Sequence, residues 1–183
     1  RIRQLLSIQG IEEAIILGTC NRTEIYCFTS QPVQQQLLNW LHEANSVPPG
    51  LLDPHFYLHA GKDAVRHLVR VAGGLDSMVL GEAQILGQLK QQFEVASAAD
   101  AVGPVLHRVF HKSFSAAKRV RSETGVAARA VSVASVAADL ARQIFEALGE
   151  RTMLLIGAGE IGEAAAAHFV AAGVGSVMVT NRT

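Results

Sequence analysis

The sequence predicts an α/β protein built from two units, and three observations support that prediction. Apolar, strand-forming stretches at residues 14–18 and 24–29 flank a short polar turn, which is typical of a β-hairpin. Apolar residues recur with helical spacing through much of residues 32–148. From residue 151 the pattern changes to strand, glycine turn, helix and strand, which indicates a second unit of βαβ type.

The composition is that of a globular protein with a substantial core and no strong overall charge. Of the 183 residues, 49% are hydrophobic and 17% are charged, and the formal net charge is zero. A neutral chain creates no global field for nucleic acid or an anionic membrane, so such a partner would have to bind a local patch. No apolar run reaches the roughly 18 residues that a membrane span needs.

Cysteine content and the chain ends add two expectations. Cys20 and Cys27 offer neither a disulfide framework nor the spacing of a metal site, and no secretory signal opens the sequence, which favours a reducing, cytoplasmic setting. The sequence begins with Arg1 instead of Met and stops at Thr183, directly after an apolar strand. We therefore expect it to be part of a longer protein.

The elements of the first unit follow from these patterns in chain order. After the hairpin, helical spacing over residues 32–45 ends at the breaker SVPPG. FYLHA at residues 56–60 is a plausible strand, and residues 62–73 form a helix that the pair Gly73 and Gly74 ends. An irregular stretch then leads into further helices, which we expect up to about Ala99, over about 104–123 and over about 130–148.

These elements divide the chain into three parts. We expect an α+β domain over residues 1–128, a long linking helix over 129–150 and a partial nucleotide-binding fold over 151–183. In the last part, the apolar strands TMLLI and VMVT flank a helix that opens at a glycine-rich turn.

The glycine turn has the spacing and the context of a dinucleotide site. Gly157, Gly159 and Gly162 form G-x-G-x-x-G directly after an apolar strand and at the start of a helix. In a Rossmann-type fold the three glycines make the tight turn, admit the pyrophosphate and let helix and strand pack closely. A glycine turn without a ligand is the alternative. The predicted contacts are Gly157, Ala158, Gly159, Glu160, Ile161 and Gly162.

The end of the second strand indicates which dinucleotide is bound. An NAD site usually carries Asp or Glu about 20 residues after the glycines, where it binds the ribose 2′-OH. Here that position holds Asn181, Arg182 and Thr183, with no acid. Arg182 would attract a 2′-phosphate and its neighbours could donate hydrogen bonds to it, so NADPH is the predicted cofactor.

The hairpin turn, GTCNRTEIYCF at residues 18–28, places a thiol beside a guanidinium. In an extended segment residues two apart share a side, so Cys20 and Arg22 can face the same cleft. A nearby cation lowers the pKa of a thiol and makes it a nucleophile. A thiol next to a hydride donor suggests reduction of an acyl group through a thioester. The alternative for Cys20 is a small turn residue without a role, while Cys27 is expected to pack.

Several longer motifs resemble one family. TCNRTEIY and GLDSMVLGEAQILGQLK are followed, in order, by KSFSAAKRVRSETG, AVSVA and GAGEIG…NRT. Over nearly the whole chain this series resembles glutamyl-tRNA reductase, and the first two motifs are quite specific to it. The resemblance implies NADPH-dependent reduction of glutamyl-tRNA to glutamate 1-semialdehyde, the entry to 5-aminolevulinate and the tetrapyrroles.

The resemblance also assigns roles to individual residues. Cys20 matches the nucleophile, and His67 matches a histidine that determines activity. Arg22 would suit the carboxylate of the substrate. The matched substrate contacts are Thr19, Asn21, Arg22, Ser77, Glu82, Ala83, Gln84 and Gln88.

The family's chains are longer than this one. The resemblance implies a first strand before this sequence, then the rest of the nucleotide fold and a helical domain that forms a homodimer. We therefore do not expect this stretch alone to be a competent reductase. Whether a glutamate-1-semialdehyde aminomutase docks on the protein stays open.

For several of these residues, an alternative is a purely structural or solvent-exposed position without a role in catalysis or substrate binding. By periodicity, His67 lies on the polar side of its helix with Arg66 and Arg70, as a solvated histidine would. With the resemblance, His67 would polarise the acyl carbonyl or protonate the leaving ribose oxygen. Glu82 could simply stabilise a helix start, and Gln84 and Gln88 could lie on a solvated face.

One helix carries a local basic face. Over residues 104–123 the polar side holds His107, Arg108, His111, Lys112, Ser115, Lys118 and Arg119. Such a face could hold tRNA phosphates, or it could be an ordinary solvated surface. Two alternative functions share parts of this pattern: a non-catalytic NADP-binding regulatory module of the same fold, and a dehydrogenase of the shikimate type, which has no use for a thiol turn.

Overall fold

A computed structural model describes residues 1–19, 21–48, 50–82, 84–127 and 132–182 of the chain, and it confirms the α/β class. The helices are α1 (Ile2–Leu6), α2 (Gln34–Asn45), α3 (Lys62–Ala72), α4 (Gln84–Ala98), α5 (Pro104–Glu123), α6 (Val133–Ile144) and α7 (Glu160–Ala171). The strands are β1 (Ile11–Gly18), β2 (Thr23–Thr29), β3 (Thr152–Ile156) and β4 (Ser176–Thr180).

The predicted hairpin forms and is covered by helices on both faces. β1 and β2 pair antiparallel, with Gly18 opposite Thr23 next to the turn. Alternate residues of β1 face opposite sides: Ile15 and Leu17 join the core beneath α3, α4 and α5, while Ala14 packs with α1 and α2. Burial on both faces explains why residues 14–17 of β1 are continuously apolar instead of alternating.

Helix α5 is held at both ends. At its start, the carboxylate of the buried Glu13 accepts hydrogen bonds from the N–H groups of Val105 (3.0 Å) and Leu106 (2.6 Å). A carboxylate there satisfies otherwise unpaired N–H groups and complements the helix dipole. Near its end, the guanidinium of Arg121 donates to the carbonyl oxygens of Gly81 (3.2 Å) and Glu82 (3.3 Å). The helix therefore fixes the loop that precedes α4.

The second unit is a parallel strand pair crossed by one helix. β3 pairs with β4 from Thr152 opposite Ser176 to Ile156 opposite Thr180, and α7 connects the two strands. Helix α6 packs its buried face, Ala134, Ala138 and Ala141, against α7. Ser132 caps the N-terminus of α6: its hydroxyl oxygen accepts a hydrogen bond from the N–H of Ser135 at 3.0 Å.

Helix α6 is shorter than the predicted helix over 130–148. It ends at Ile144, and a 3₁₀ turn follows at Leu148–Glu150. The chain there crosses the segment that leads into β4, since the N–H of Gly175 donates to the carbonyl oxygens of Leu148 (3.3 Å) and Arg151 (3.1 Å). A Cβ on Gly175 would lie 2.1 Å from the Gly149 oxygen. This close crossing ends the helix although the apolar spacing continues.

Two local features of the first unit also differ from the sequence prediction. FYLHA at residues 56–60 is not a strand, because β2 pairs with β1 alone among the described residues and strand propensity needs a paired neighbour. The short helix α1 escaped prediction, and it is stabilised by Leu5, which is fully buried. Across the described ranges, no helix is both long and apolar enough to span a membrane.

Candidate functional site

The hairpin turn is organised by Thr19. The Thr19 N–H donates to the carbonyl oxygen of Arg22 at 2.9 Å. The Thr19 hydroxyl oxygen in turn accepts from the N–H groups of Asn21 (3.2 Å) and Arg22 (3.1 Å). These local bonds set the direction in which the chain enters β2. Cys20, the predicted nucleophile, lies outside the described residues.

Arg22 is bound by two carboxylates. Its Nη1 atom donates to Oδ2 of Asp76 at 2.6 Å and to Oε1 of Glu24 at 3.2 Å, and Nη2 donates to the main-chain oxygen of Asp76. Arg70 lies on the far side of Asp76, with Nη2 3.5 Å from Oδ1. The side chain of Arg22 is 18% exposed, so the guanidinium is mostly shielded from solvent.

Glu24 is the centre of the arrangement. It is 7% exposed and accepts hydrogen bonds from the hydroxyls of Tyr26 and Tyr57 as well as from Arg22. His67 Nε2 lies 2.8 Å from Oε1 of the same carboxylate. We call Arg22, Glu24, Tyr57, His67 and Asp76 the carboxylate network. It joins β2, α3 and the loops on either side of α3.

The electrostatics of the carboxylate network favour ionised acids and neutral tyrosines. Burial alone would raise the pKa of Glu24, but hydrogen bonds from Tyr26, Tyr57 and His67 outweigh it and lower that pKa. Burial also opposes ionisation of Asp76, whereas the Arg22 hydrogen bond and charge bring its pKa below the ordinary value. Burial and the neighbouring Glu24 raise the pKa of Tyr57, so it stays a hydrogen-bond donor. Because Glu24 is ionised, His67 donates through Nε2.

His67 is not the solvated residue that helix periodicity suggested. Its side chain is 12% exposed, and its ring lies 4.7 Å from the ring of His59 and 5.5 Å from that of Tyr57. The buried face of α3 includes Leu68 and Val71 and is displaced around the helix from the apolar face that the sequence predicts. His67 therefore faces β2. The structure therefore corrects the surface interpretation, while the catalytic role of His67 stays a prediction.

Sequence reasoning missed Glu24 and Asp76. A usable signal existed for Glu24, because Arg22, Glu24 and Tyr26 alternate along a strand and so share one face, the same rule that paired Cys20 with Arg22. For Asp76 no local signal existed, since it meets Arg22 across 54 positions of the chain.

The other predicted substrate contacts lie along the loop and helix that follow Asp76. Ser77 and Glu82 are half-buried in the loop, Gln84 is the exposed first residue of α4, and Gln88 lies half-buried one turn further. Their side chains are not joined to the carboxylate network by any contact in the described ranges. Ala83 lies outside the described residues.

The glycine turn fits a dinucleotide phosphate. Gly157 has a φ of +103°, which only glycine adopts readily, and a Cβ on Gly162 would lie 3.2 Å from the Gly157 oxygen. A Cβ on Gly159 would meet no atom within 4 Å, so open space lies above the start of α7. Helix α7 begins at Glu160 without a side-chain cap. Uncapped N–H groups beside an open glycine are the elements of a phosphate cradle.

The remaining residues predicted to contact the cofactor follow β4, whose C-terminal end lies beside that of β3 at the glycine turn. Ile156 lies opposite Thr180, and the N–H of Gly157 donates to the Thr180 oxygen at 2.8 Å. Asn181 and Arg182, which follow β4, are exposed at the same edge of the sheet. Thr183 lies outside the described residues. Ala158 and Ile161 are exposed beside the turn.

The fold and its two polar sites define a class of protein: a mixed α/β protein that couples a helix-covered hairpin to a nucleotide-binding start of Rossmann type. Two family models match it. The one described as Glutamyl-tRNAGlu reductase, N-terminal domain, matches residues 1–124, and the one described as Shikimate / quinate 5-dehydrogenase matches residues 139–183. The chain belongs to the glutamyl-tRNA reductase family, as the resemblance predicted.

Individual relatives agree with this assignment. The glutamyl-tRNA reductase of Geobacter metallireducens is 49% identical over 184 residues, and that of Chromohalobacter salexigens is 47% identical over 182 residues. Both matches cover all of this chain, which spans about 42–43% of the length of these relatives. The solved glutamyl-tRNA reductase from Methanopyrus kandleri is 34% identical with a TM-score of 0.63, and the match covers 100% of this chain and 43% of that one.

Proposed function

We propose that the chain supplies the catalytic part and the start of the cofactor-binding part of an NADPH-dependent glutamyl-tRNA reductase. The observation that supports this most is the carboxylate network beside the thiol turn, in a chain whose residues 1–124 match the family's N-terminal domain. The proposed division is a catalytic domain over residues 1–128, a linker over 129–150 and nucleotide binding over 151–183.

In the proposed reaction Cys20 is the nucleophile. Its thiolate attacks the ester carbonyl of glutamyl-tRNA, a C–S bond forms, and the C–O bond to the terminal ribose breaks as that oxygen takes up a proton. NADPH supplies the hydride that reduces the resulting thioester at its carbonyl carbon. The thiohemiacetal on Cys20 then releases glutamate 1-semialdehyde and regains the thiol.

The carboxylate network would position two groups for this reaction. Glu24 holds His67 through Nε2, which leaves Nδ1 as the nitrogen that can accept or deliver a proton to the leaving oxygen. Arg22 would bind the free carboxylate of the glutamyl group. Because Asp76 already occupies Arg22 in this structure, the substrate would share that guanidinium with Asp76 or displace Asp76 toward Arg70.

The remaining parts of the proposal concern the cofactor and the partners. Backbone N–H groups from Gly157 to Gly162 would hold the pyrophosphate, and Arg182 would select the 2′-phosphate of NADPH over NADH. The amino aldehyde product would enter 5-aminolevulinate and tetrapyrrole synthesis in the cytoplasm. Homodimer formation, and any docking of a glutamate-1-semialdehyde aminomutase, would concern the longer protein.

Mass spectrometry of the full-length reductase tests the proposal. Incubation with glutamyl-tRNA and no NADPH is expected to add one glutamyl group, and Cys20→Ser is expected to abolish the adduct. Cys27→Ser is the matched control, because burial raises the pKa of Cys27 to about 12 and makes its thiol a poor nucleophile. A protein that binds NADPH but never acquires the adduct would instead be a non-catalytic NADP-binding module.

A further inference from the structure

The solvent face of α5 carries cations that the proposed chemistry leaves unused. The exposed residues on this face are His107, Arg108, His111, Lys112, Ser115, Lys118 and Arg119; we call them the α5 stripe. The opposite face of α5, with Phe110 and Phe114, is buried in the core. The structure thus confirms that the polar side of this helix points to solvent along its whole length.

The α5 stripe forms an extended line of positive charge. Helix α5 has 20 residues, and at about 1.5 Å per residue it is about 30 Å long. Arg108, Lys112 and Ser115 follow at spacings of three or four residues, which places them on one side. The sequence has no acid between Asp100 and Glu123.

Within the part of the chain that the structure describes, most of these cations have no acidic partner. Arg119 is paired, since it donates to Glu123 at 2.8 and 2.9 Å. For Arg108, Lys112 and Lys118, no carboxylate within the described ranges forms an ion pair. Unpaired cations in a row are available to an external polyanion.

The histidines of the stripe are held in place by aromatic packing. The rings of His107 and His111 stack at 4.3 Å, and Phe93 of α4 lies 5.8 and 5.3 Å from them. The exposed Glu94, next to Phe93 on α4, is the acid closest in sequence to this packing. The stripe thus combines stacked histidine rings with the arginine and lysine side chains.

The α5 stripe begins next to the candidate site. Arg121 binds the carbonyl oxygens of Gly81 and Glu82, and the same loop reaches Arg22 through Asp76. Near the start of α5, Val105 and Val109 line one cavity with Glu24 and His67, so the helix runs alongside the site. An aminoacyl ester is attached to the end of an acceptor arm, so the phosphates of that arm must pass close to the site.

We propose that the α5 stripe binds the sugar–phosphate backbone of the acceptor arm of the substrate tRNA. This inference rests on the proposed function and adds to it the surface that holds the nucleic acid. The carboxylate network recognises the acyl group, whereas the α5 stripe supplies affinity that does not depend on base sequence. In a chain of zero net charge, such a local stripe is the route by which a polyanion can be held.

Salt-dependent tRNA binding by the full-length reductase tests the proposal. Fluorescence anisotropy with uncharged glutamate-accepting tRNA, between 50 and 200 mM salt, gives the slope of log affinity against log salt. Each removed phosphate contact should reduce that slope by about one unit. Lys112→Gln/Lys118→Gln is expected to lose about two units and about tenfold in affinity near physiological salt.

Controls separate this surface from general charge and from misfolding. Arg3→Gln removes an exposed cation on α1, outside the α5 stripe, and is expected to leave affinity and slope unchanged. Thermal unfolding of the Lys112→Gln/Lys118→Gln variant is expected to match wild type, because both side chains are exposed.

Each outcome decides between specific alternatives. An unchanged salt slope in the double variant overturns the proposal while leaving the Cys20 adduct, and with it the reductase, intact. Loss of tRNA binding in a protein that forms no adduct keeps the surface and rejects the reductase. If the double variant instead loses binding to phosphatidylserine vesicles and retains tRNA, the stripe is a membrane surface and the proposal is wrong.

Discussion

The carboxylate network and the glycine turn present their polar groups in opposite ways. Around Glu24 the charges are mostly buried and neutralise one another, and the helices of the first unit cover the hairpin on both faces. In the second unit of this chain, which spans about 42% of the length of its relatives, α7 has no buried residue, and Ile156 of β3 and Met178 of β4 are 80% and 61% exposed. The first site is therefore organised by a core that lies within this chain, whereas the glycine turn has no such core within the residues that the structure describes.

The difference teaches where each site obtains its rigidity. A buried carboxylate that loses a partner leaves uncompensated charge, so the carboxylate network is held together strongly and tolerates little change. An exposed glycine turn has few apolar contacts to hold it and should gain order from a bound ligand. We expect mutations to disturb the first site through folding and the second through binding.

The largest expected effect comes from removing the centre of the carboxylate network. Glu24→Ala leaves Arg22, His67 and two tyrosine hydroxyls without their shared acceptor. We expect the free energy of unfolding of the first unit to fall by about 3 kcal/mol or more, measured by urea denaturation. Glu12→Ala, on the exposed side of β1, is the matched control and should cost less than about 0.5 kcal/mol. Equal losses in the two variants would contradict a special role for Glu24.

The second-largest expected effect is a change in amide hydrogen exchange when NADPH is added. In the 183-residue chain, amides of β3, β4 and α7 are expected to exchange with deuterium faster than those of β1 and β2, because so little of the second unit is buried in it. NADPH at about 100 times its Kd should slow exchange in the second unit by an amount equivalent to about 2.7 kcal/mol. Protection that rose equally in both units, or equally with NADH, would argue against an open NADPH cradle at the glycine turn.

Two glycines of the turn distinguish folding from binding. Gly162→Ala should destabilise the second unit by about 1 kcal/mol, because the new Cβ would lie 3.2 Å from the Gly157 oxygen and 3.3 Å from Leu155. Gly159→Ala faces open space and should leave stability within about 0.5 kcal/mol while weakening NADPH binding. Thermal melts and cofactor titrations of both variants measure these effects. A Gly159→Ala protein with unaltered NADPH affinity would show that the pyrophosphate binds elsewhere.

The smallest expected effect is on how steeply the stability of the fold falls at low pH. Folding lowers the pKa of Glu24 and of Asp76, so the unfolded chain binds more protons than the folded chain as the pH falls toward their ordinary values of about 4. The stability that these groups contribute is present above that pH and is lost as the pH falls through the lowered folded values. Asp76→Asn should therefore show a shallower loss of stability below about pH 5 than wild type, measured by urea midpoints. Parallel curves would mean that Asp76 contributes nothing.

Local patterns were sufficient for much of the fold. The hairpin, α3, α5 and the strands around the glycine turn were predicted nearly to their observed ends, because periods of 2.0 and 3.6 and glycine spacing are properties of neighbouring residues. Prediction failed at FYLHA and at the end of α6. In both places a distant segment decides, either because no strand lies alongside or because another part of the chain crosses closely.

The candidate site was likewise predictable where local motifs define it and unpredictable where distant segments meet. The motifs around Thr19 and Arg22 identified the turn, and the glycine spacing identified the cradle. The pairing of Arg22 with Asp76 and of Glu24 with His67 did not follow from those motifs, because Asp76 and His67 approach the hairpin from other segments. Helix periodicity indicates which side of α3 is apolar, but it cannot indicate that a polar residue faces a buried carboxylate.

The sequence by itself therefore determined most of the helices and strands, the family, and the positions of the thiol turn, the glycine turn and the basic helix. Only the tertiary structure decided that Glu24 collects donors from β2, α3 and the loop before it, and that Glu13 caps α5 from β1. The physical reason is that buried charge must be paired, and the partner is selected by which groups the closed chain brings within hydrogen-bonding distance.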